Sequence, residues 1–533
     1  MKETALNKIL ILDYGSQFTQ LIARRIRELG FYSYVLPGTA SIQRIEDFGA
    51  KAVILSGGPA SVYETGSPKP APELWTYLET KKLPTLGICY GMQLMVEHHG
   101  GQIKAAHKRE YGRMGVIVEK SCTLFSGITA FQAWMSHGDE TAKLPNGFEL
   151  TGKSSEGAVA SIAHQNGRMF GIQFHPEVTH TEQGTAILNN FLTKAANLSP
   201  DWEMRSLIDT LVEKIKSQVP NDAEVICALS GGVDSTVAAT LVHKALGKRL
   251  HCIFVDTGLL RYEEGNRVMG MFTEQLHLPV TRIDAEARFL GKLAGIADPE
   301  KKRKIIGAEF IAVFDDAAKD LEKTLGRKPS FLVQGTLYPD VIESSPAPKS
   351  GGANSAGNHS HTIKSHHNVG GLPEDLEFEL IEPFRDLFKD EVRAIGRELG
   401  VPAAFLERHP FPGPGLAVRI LGEVTREAAD TLRQADEIYI DMLKAEGLYS
   451  RIWQAMAILL PIKTVGVQGD GRTHKQVIAL RAVTSSDGMT ADFYPFDLEF
   501  LGRVSNRICN EVKGVNRVTY DITSKPPATI EWE

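Results

Sequence analysis

The sequence predicts a multidomain α/β protein, and three observations carry that prediction. The first 200 residues alternate short apolar, strand-like runs with helix-like stretches. A glycine- and serine-rich loop, Ser230-Gly231-Gly232-Val233-Asp234-Ser235, joins an apolar run to a helical one. Beyond about residue 407 a proline-glycine corner changes the texture to a small α+β pattern. At 533 residues the chain is too long for a single core, and these breaks divide it into 1–200, 201–407 and 408–533.

Composition narrows the class of protein. With 42% hydrophobic and 23% charged residues the chain reads as soluble and globular. A net charge of −6, from 59 basic and 65 acidic residues, offers no overall basic field for nucleic acid. MKETALNKILILD runs straight into a strand-like segment without a signal-peptide pattern, and no apolar stretch reaches the ~20 residues of a membrane span. The expectation is a cytoplasmic chain with neither a membrane nor a nucleic-acid partner. Five scattered cysteines without a CxxC pair argue against a disulfide framework and a structural zinc site.

In the first segment the strand-like runs are Lys8 to Leu12, Ala52 to Leu55 and Pro84 to Ile88, with helical spacing over Gln17 to Leu29 and Met92 to His98. Gly87-Ile88-Cys89-Tyr90-Gly91 puts a cysteine at a strand-to-helix turn, where nucleophile elbows carry a serine. The helix N-terminus there favours a thiolate, the attacking form; a buried structural cysteine is the alternative. Met169 to Glu177 reads as a strand ending at His175, a candidate general base, with Glu177 as its orienter. Ser56-Gly57-Gly58-Pro59 ends another strand in a loop, and the N–H groups of Gly58 and Tyr90 are candidates for an oxyanion hole.

These motifs, in this order, resemble the class I glutamine amidotransferase domain. The resemblance implies that Cys89 forms a glutamyl thioester, His175 acts as base and Glu177 orients it. It also marks Gln93 and Ser136-His137-Gly138-Asp139 as substrate-side elements.

Between Thr193 and Trp202 periodicity is lost, which marks a candidate linker, and Trp202 to Gln218 is helix-like. Glu224 to Leu229 then reads as a buried strand and Thr236 to Leu246 as a helix. Glycines in such a turn let backbone N–H groups approach phosphate oxygens, and the hydroxyls of Ser230, Ser235 and Thr236 add donors; a turn without ligand is the alternative. No lysine follows the glycines as in a Walker A loop, which argues against ordinary γ-phosphate transfer. The strands ending at Asp256 and Gln334 lead to the same sheet edge, where ligands of open α/β sheets gather.

Ser230 to Thr236 in this setting resembles the N-type ATP pyrophosphatases, which cleave ATP between its α and β phosphates. The resemblance implies a Rossmann-like parallel sheet, with Ser230, Gly231, Gly232, Val233, Asp234, Ser235, Thr236 and Asp256 at ATP and magnesium on Asp234. Ser344 to Leu372 is long for a structureless connection and rich in Ser, Gly, Asn and His. Its histidines lack the companions of a metal site; Lys364 to Asn368 resembles the family's lid, with Lys364 on phosphate.

Arg408 to Leu416 cannot continue a helix or a central strand. Beyond it Ala417 to Leu421, Thr464 to Gln468 and Val477 to Val483 read as strands and Arg426 to Glu446 as a helix, while the proline-rich end frays unless docked. The order of glutaminase, pyrophosphatase loop, corner and terminal Ser524 to Glu533 resembles the glutamine-hydrolysing GMP synthase family over essentially the whole chain. That resemblance implies glutamine, ATP and XMP as ligands, magnesium with ATP and no tightly bound organic cofactor. It further implies an XMP site of Arg303, Gln454, Asp470, Lys525 and Glu531, and a homodimer through the small α+β C-terminal domain. Two rivals are another glutamine-dependent adenylating ligase, such as an NAD synthetase with its different glutaminase, and a nucleotide-sensing scaffold.

Overall fold

Parallel strands must end on one side of their sheet, and in this protein that rule places the functional loops. The computed structural model describes residues 6–343, 378–468, 471–485 and 490–533. These fall into two compact units, Met1–Glu203 and Met204–Glu533.

The first unit holds a nine-stranded sheet. Tyr32–Pro37, Lys8–Asp13, Ala52–Leu55, Thr85–Ile88 and Met169–Ile172 lie side by side and parallel. The inner strands are buried on both faces, which is why Ile9 to Leu12 and Ala52 to Leu55 read as unbroken apolar runs rather than alternations, while the edge strand Tyr32–Pro37 is partly exposed. Val159–His164, Phe148–Ser154, Gln102–Val118 and Ala130–Lys143 extend the sheet antiparallel. The loops at Gly57, Cys89 and His175 follow the carboxyl ends of three neighbouring parallel strands. The strand before His175 stops at Ile172, three residues earlier than its apolar pattern suggests. Residues 199–202 belong to this unit: the N–H groups of Asp201 and Trp202 both donate to Gly30 O, and Trp202 packs on Tyr32 with centroids 4.9 Å apart.

The second unit opens on a parallel sheet ordered Val280–Asp284, Leu250–Asp256, Val225–Leu229, Phe331–Val333 and Glu379–Ile381. The helix after Val225–Leu229 begins at Val233 rather than Thr236, so Asp234 and Ser235 sit in its first turn. A 27-residue helix, Pro299–Leu325, starts with Pro at its first position, and Asp298 Oδ1 accepts from Lys301 N–H as its cap. Gln454–Gln468 and Gly471–Thr484 form a long antiparallel pair joined by Asp492–Phe493 and Val515–Tyr520. One hydrophobic core runs from Ile253, Val255 and Leu332 beside the parallel sheet through Leu416 and Ile420 to Leu432, Ile478 and Phe500.

Two strand expectations in this unit need correction. Ala417 to Leu421 is no strand; Gly415–Val418 is a 3-10 turn, and Ile420 makes a single bridge to Leu459. Gly415 takes φ +64°, and a Cβ there would stand 2.4 Å from Leu259 O, so the chain turns where only glycine fits. Thr464 to Gln468 is merely the outer end of the strand Gln454–Gln468. Pro461 interrupts its alternation, and the pairing register shifts between Leu460 and Lys463.

The C-terminal end is docked. Arg481, fully buried, donates to the carbonyl oxygens of Thr523, Thr529 and Ile530 and pairs with Asp521 at 2.7 Å. Replacing Arg481 with Met leaves Asp521 and three carbonyls without this donor, and is expected to destabilise the second unit by about 3–5 kcal/mol. Urea unfolding followed by far-UV circular dichroism checks this; an unchanged midpoint would refute it.

Candidate active sites

In the first unit, Gly-x-Cys-x-Gly is dictated by crowding. A Cβ on Gly87 would stand 2.7 Å from Gly91 backbone atoms, and one on Gly91 2.3 Å from Leu55 O. Between them Cys89 is forced to φ +50°, ψ −107°, a strained elbow costing on the order of 1–3 kcal/mol. Its N–H donates to Ile172 O and the Gly91 N–H to Ser56 O. The Tyr90 N–H between them has no acceptor among the described residues. Gly58 packs beside Tyr90: a Cβ there would stand 3.3 Å from the Tyr90 ring and 2.7 Å from Tyr14 O.

Cys89, His175 and Glu177 come together. His175 Nδ1 donates to Glu177 Oε1 at 2.7 Å, and the imidazole interacts electrostatically with the Cys89 sulfur. Burial by itself would strip the His175 proton, but the Glu177 carboxylate and the Cys89 contact outweigh it and push the pKa up to about 10. The resting ring is therefore an imidazolium beside the sulfur, and the stabilisation it contributes persists at low pH and is lost as pH rises through about 10. Phe18 packs edge-on against the ring with centroids 5.1 Å apart, and a Cβ on Gly57 would stand 3.1 Å from His175 Cε1. Ser136 O lies 3.9 Å from Cys89 Sγ, while Gln173, which motif reading passed over, donates to that sulfur at 3.6 Å. Gln93 is buried in the helix that starts at Tyr90.

In the second unit, Ser230 to Thr236 forms one cradle at the end of Val225–Leu229. Gly231 takes φ +73°. The Gly232 N–H donates to Ser230 Oγ at 3.2 Å, and the hydroxyls of Ser235 and Thr236 donate to Gly232 O at 3.2 and 2.8 Å. A helix N-terminus with clustered hydroxyls suits phosphate oxygens. Asp234 has one buried carboxylate oxygen, Oδ1, with no hydrogen-bond partner among the described residues. Burial raises its pKa, Lys389 and Arg393 oppose this, and Asp340 adds to the rise. A buried hard oxygen donor left bare at the end of this loop fits a magnesium ion.

Asp256 ends the adjacent strand, but its carboxylate is engaged, with Oδ2 on Arg282 Nη2 at 2.5 Å and Oδ1 accepting from Gly258 N–H at 3.1 Å. Arg408 was legible only as part of the corner. It donates to Gly231 O at 3.4 Å, ties the loop to Glu264, and is pushed down to about 10 by burial and by Arg261.

The tail gathers three of the residues expected at XMP. Gln454 Nε2 donates to Glu531 Oε1 at 2.6 Å, and Arg303 Nη2 donates to Glu533 O at 2.6 Å. Arg419, fully buried, holds both Glu531 oxygens at 3.1 and 2.8 Å, and fully buried Lys302 donates to Glu533 Oε2 at 2.6 Å. Lys525 lies elsewhere, paired through its backbone with Ala491 and lining a cavity of 360 Å³ with Thr484, Thr490 and Asp492. Lys364 and Asp470 fall outside the described residues. At the corner His409 Nδ1 accepts from Ala455 N–H, so Nε2 carries the proton that goes to Tyr449 O. Burial holds its pKa down at about 4, so this ring is neutral at neutral pH.

Glu177→Gln removes the strongest influence that raises the His175 pKa. Burial then draws the His175 pKa down from its raised position. Glutamine hydrolysis is expected to fall by about 10²-fold or more, together with the rate of Cys89 alkylation by iodoacetamide at neutral pH, read peptide by peptide in a mass spectrometer. Unchanged alkylation would break the charge link between Glu177 and the sulfur.

Three family models match the chain: Glutamine amidotransferase class-I over residues 10–195, NAD synthase over 203–298 and GMP synthase C terminal domain over 441–532. The chain is 53% identical over 534 residues to the glutamine-hydrolyzing GMP synthase of Nitrobacter hamburgensis, covering 99% of this chain and 96% of that relative. It is 52% identical over 531 residues to the enzyme of the same name from Rhizobium etli, covering 99% of each. With over half of its residues shared along the full length of such relatives, this chain belongs to the glutamine-hydrolysing GMP synthase family.

Proposed function

We propose that this chain aminates XMP to GMP: XMP, ATP, glutamine and water give GMP, AMP, pyrophosphate and glutamate. The observation that carries the reading is the pairing, in one chain of this family, of a Cys-His-Glu constellation with a phosphate cradle that lacks a Walker lysine. Cys89 attacks the glutamine carboxamide carbon, His175 delivers a proton to the departing ammonia, and the N–H groups of Gly58 and Tyr90 receive the developing oxyanion. Water then frees glutamate from the thioester with His175 as base.

In the second unit the Ser230 to Thr236 loop binds the departing pyrophosphate while AMP passes to the C2 oxygen of XMP. That oxygen is a poor leaving group until adenylated, and ammonia then displaces AMP. Generating ammonia on the same chain matters because free ammonia in neutral water is mostly ammonium, which is not nucleophilic. Asp234 would hold magnesium, which neutralises phosphate charge when bound. Asp256 works through Arg282 and the Gly258 turn at the nucleotide edge. Lys364 answers phosphate charge from the lid, and Arg303, Gln454, Asp470, Lys525 and Glu531 bind XMP.

A division of the second unit at 407/408, a homodimer through its last part and a cytoplasmic location belong to the same reading; the boundary expected at 200/201 gives way to one after Glu203, since Asp201 and Trp202 pack on the first unit. All five cysteines are free thiols, which suits a reducing compartment.

Pyrophosphate release from ATP and magnesium is expected to depend on XMP, and Cys89→Ala is expected to abolish glutamine-dependent synthesis while ammonium salts restore GMP formation. Release that ignores XMP, or a Cys89→Ala protein dead with ammonium, would defeat the proposal. Sedimentation at micromolar concentration is expected to give a dimer, and a monomer there would refute the homodimer.

A further inference from the structure

Beside the nucleophile lies a second buried histidine-carboxylate pair that the thioester chemistry does not use. Glu110 and His137 are register partners across the antiparallel strands Gln102–Val118 and Ala130–Lys143, and they are only 2% and 5% exposed. His137 Nδ1 lies 2.9 Å from the Asp139 carbonyl oxygen, and Nε2 lies 3.1 Å from Glu110 Oε2. The Ser154 hydroxyl donates to Glu110 Oε1 at 2.6 Å and itself accepts from Ala158 N–H at 3.1 Å.

Counting donors decides the protonation. A backbone carbonyl only accepts, so Nδ1 must carry a proton. An ionised carboxylate also only accepts, so the Nε2 to Oε2 contact needs a proton of its own. Either an imidazolium faces a carboxylate or a neutral imidazole faces a carboxylic acid; both hold one proton more than a neutral histidine beside an ionised glutamate. Two bare acceptors in this buried contact would repel each other.

We propose that Glu110 and His137 share one proton and act as a single positioning unit for glutamine, locking residues 136–139 against Cys89. The inference rests on the glutaminase reading. Ser136 O faces Cys89 Sγ, and Asp139 is held at its carbonyl by His137 and at Oδ1 by the Tyr63 hydroxyl at 2.6 Å. Among the described residues the other titratable groups facing this strand are Arg109 and Tyr111 beside Gly138, Lys104 on Glu140 at 3.2 Å, and His175. Burial pushes the His137 pKa down, Glu110 and the Asp139 carbonyl draw it up, and the charge of His175 opposes them; the net direction is down. Losing that proton as pH rises leaves the Nε2 to Oε2 contact without a donor and frees His137 and residues 136–139 with it.

The test is KM and kcat for glutamine hydrolysis against pH, with ATP, XMP and magnesium present, for the wild type, Glu110→Gln and Glu110→Ala. The glutamine side chain offers a non-titrating N–H to Nε2, and its carbonyl still accepts from Ser154. Glu110→Gln is therefore expected to stay within about 2-fold of wild-type KM at neutral pH and to lack the rise in KM with increasing pH expected of the wild type. Glu110→Ala is expected to raise KM about 10-fold at neutral pH while kcat moves by less than about 3-fold. An alkaline rise as steep in Glu110→Gln as in wild type, or a wild-type KM in Glu110→Ala, overturns the shared-proton unit. If the alanine variant does not fold, the pH comparison of wild type with Glu110→Gln decides alone. A wild-type enzyme without Cys89-dependent hydrolysis would instead overturn the glutaminase reading, and this inference with it.

Discussion

Three charges with no solvent exposure, those of Lys302, Arg419 and Arg481, constrain the second unit more than any other feature. Removing an ion from water costs several kcal/mol unless it finds a partner and hydrogen bonds. Here the partners come from the last residues of the chain: Glu533 for Lys302, Glu531 for Arg419, Asp521 for Arg481. The tail is thus part of the interior, since without it the corner and the antiparallel sheet would bury unpaired cations. Lys302 also donates to the carbonyl oxygens of Ala417 and Ile420, so one ammonium joins the long helix, the corner and the tail.

The first unit obeys the same constraint at smaller scale. Its sheet is apolar, and two buried pairs of ionisable groups set into it, His175 with Glu177 and Glu110 with His137, occur in contact. Pairing makes such charges tolerable and also defines their chemistry. An imidazole that burial alone would leave neutral is kept protonated by the carboxylate behind it. The strained elbow at Cys89 persists because neighbouring backbone leaves no room on either side.

The two units place their sites by one geometric device. Parallel strands deliver successive loops to a common edge, and the helix after each strand points its free N–H groups there. In the first unit the loop carries a sulfur at that point; in the second it carries hydroxyls and a carboxylate. Arg408 then links the Pro-Gly corner to Gly231 in the phosphate loop, so the corner supports the cradle as well as turning the chain.

Much of this was legible in the linear chain because the chemistry of a turn is written in adjacent residues. Gly87 to Gly91, Ser230 to Thr236 and His175 to Glu177 each state their geometry locally, as do the apolar runs that become buried parallel strands. The failures had local causes too: Ala417 to Leu421 looked like a strand, but Gly415 and the carbonyl contacts of Lys302 curl it, and Pro461 hid the first half of a long strand. What only the tertiary structure decided is pairing across distance. Lys302 meets Glu533 across 231 positions, and Arg481 meets the carbonyl of Ile530 across 49. Glu110 finds His137 only because two antiparallel strands set them in register. Nothing in a lysine's neighbours announces the carboxylate that will neutralise it, because the partner of a buried charge is chosen by packing.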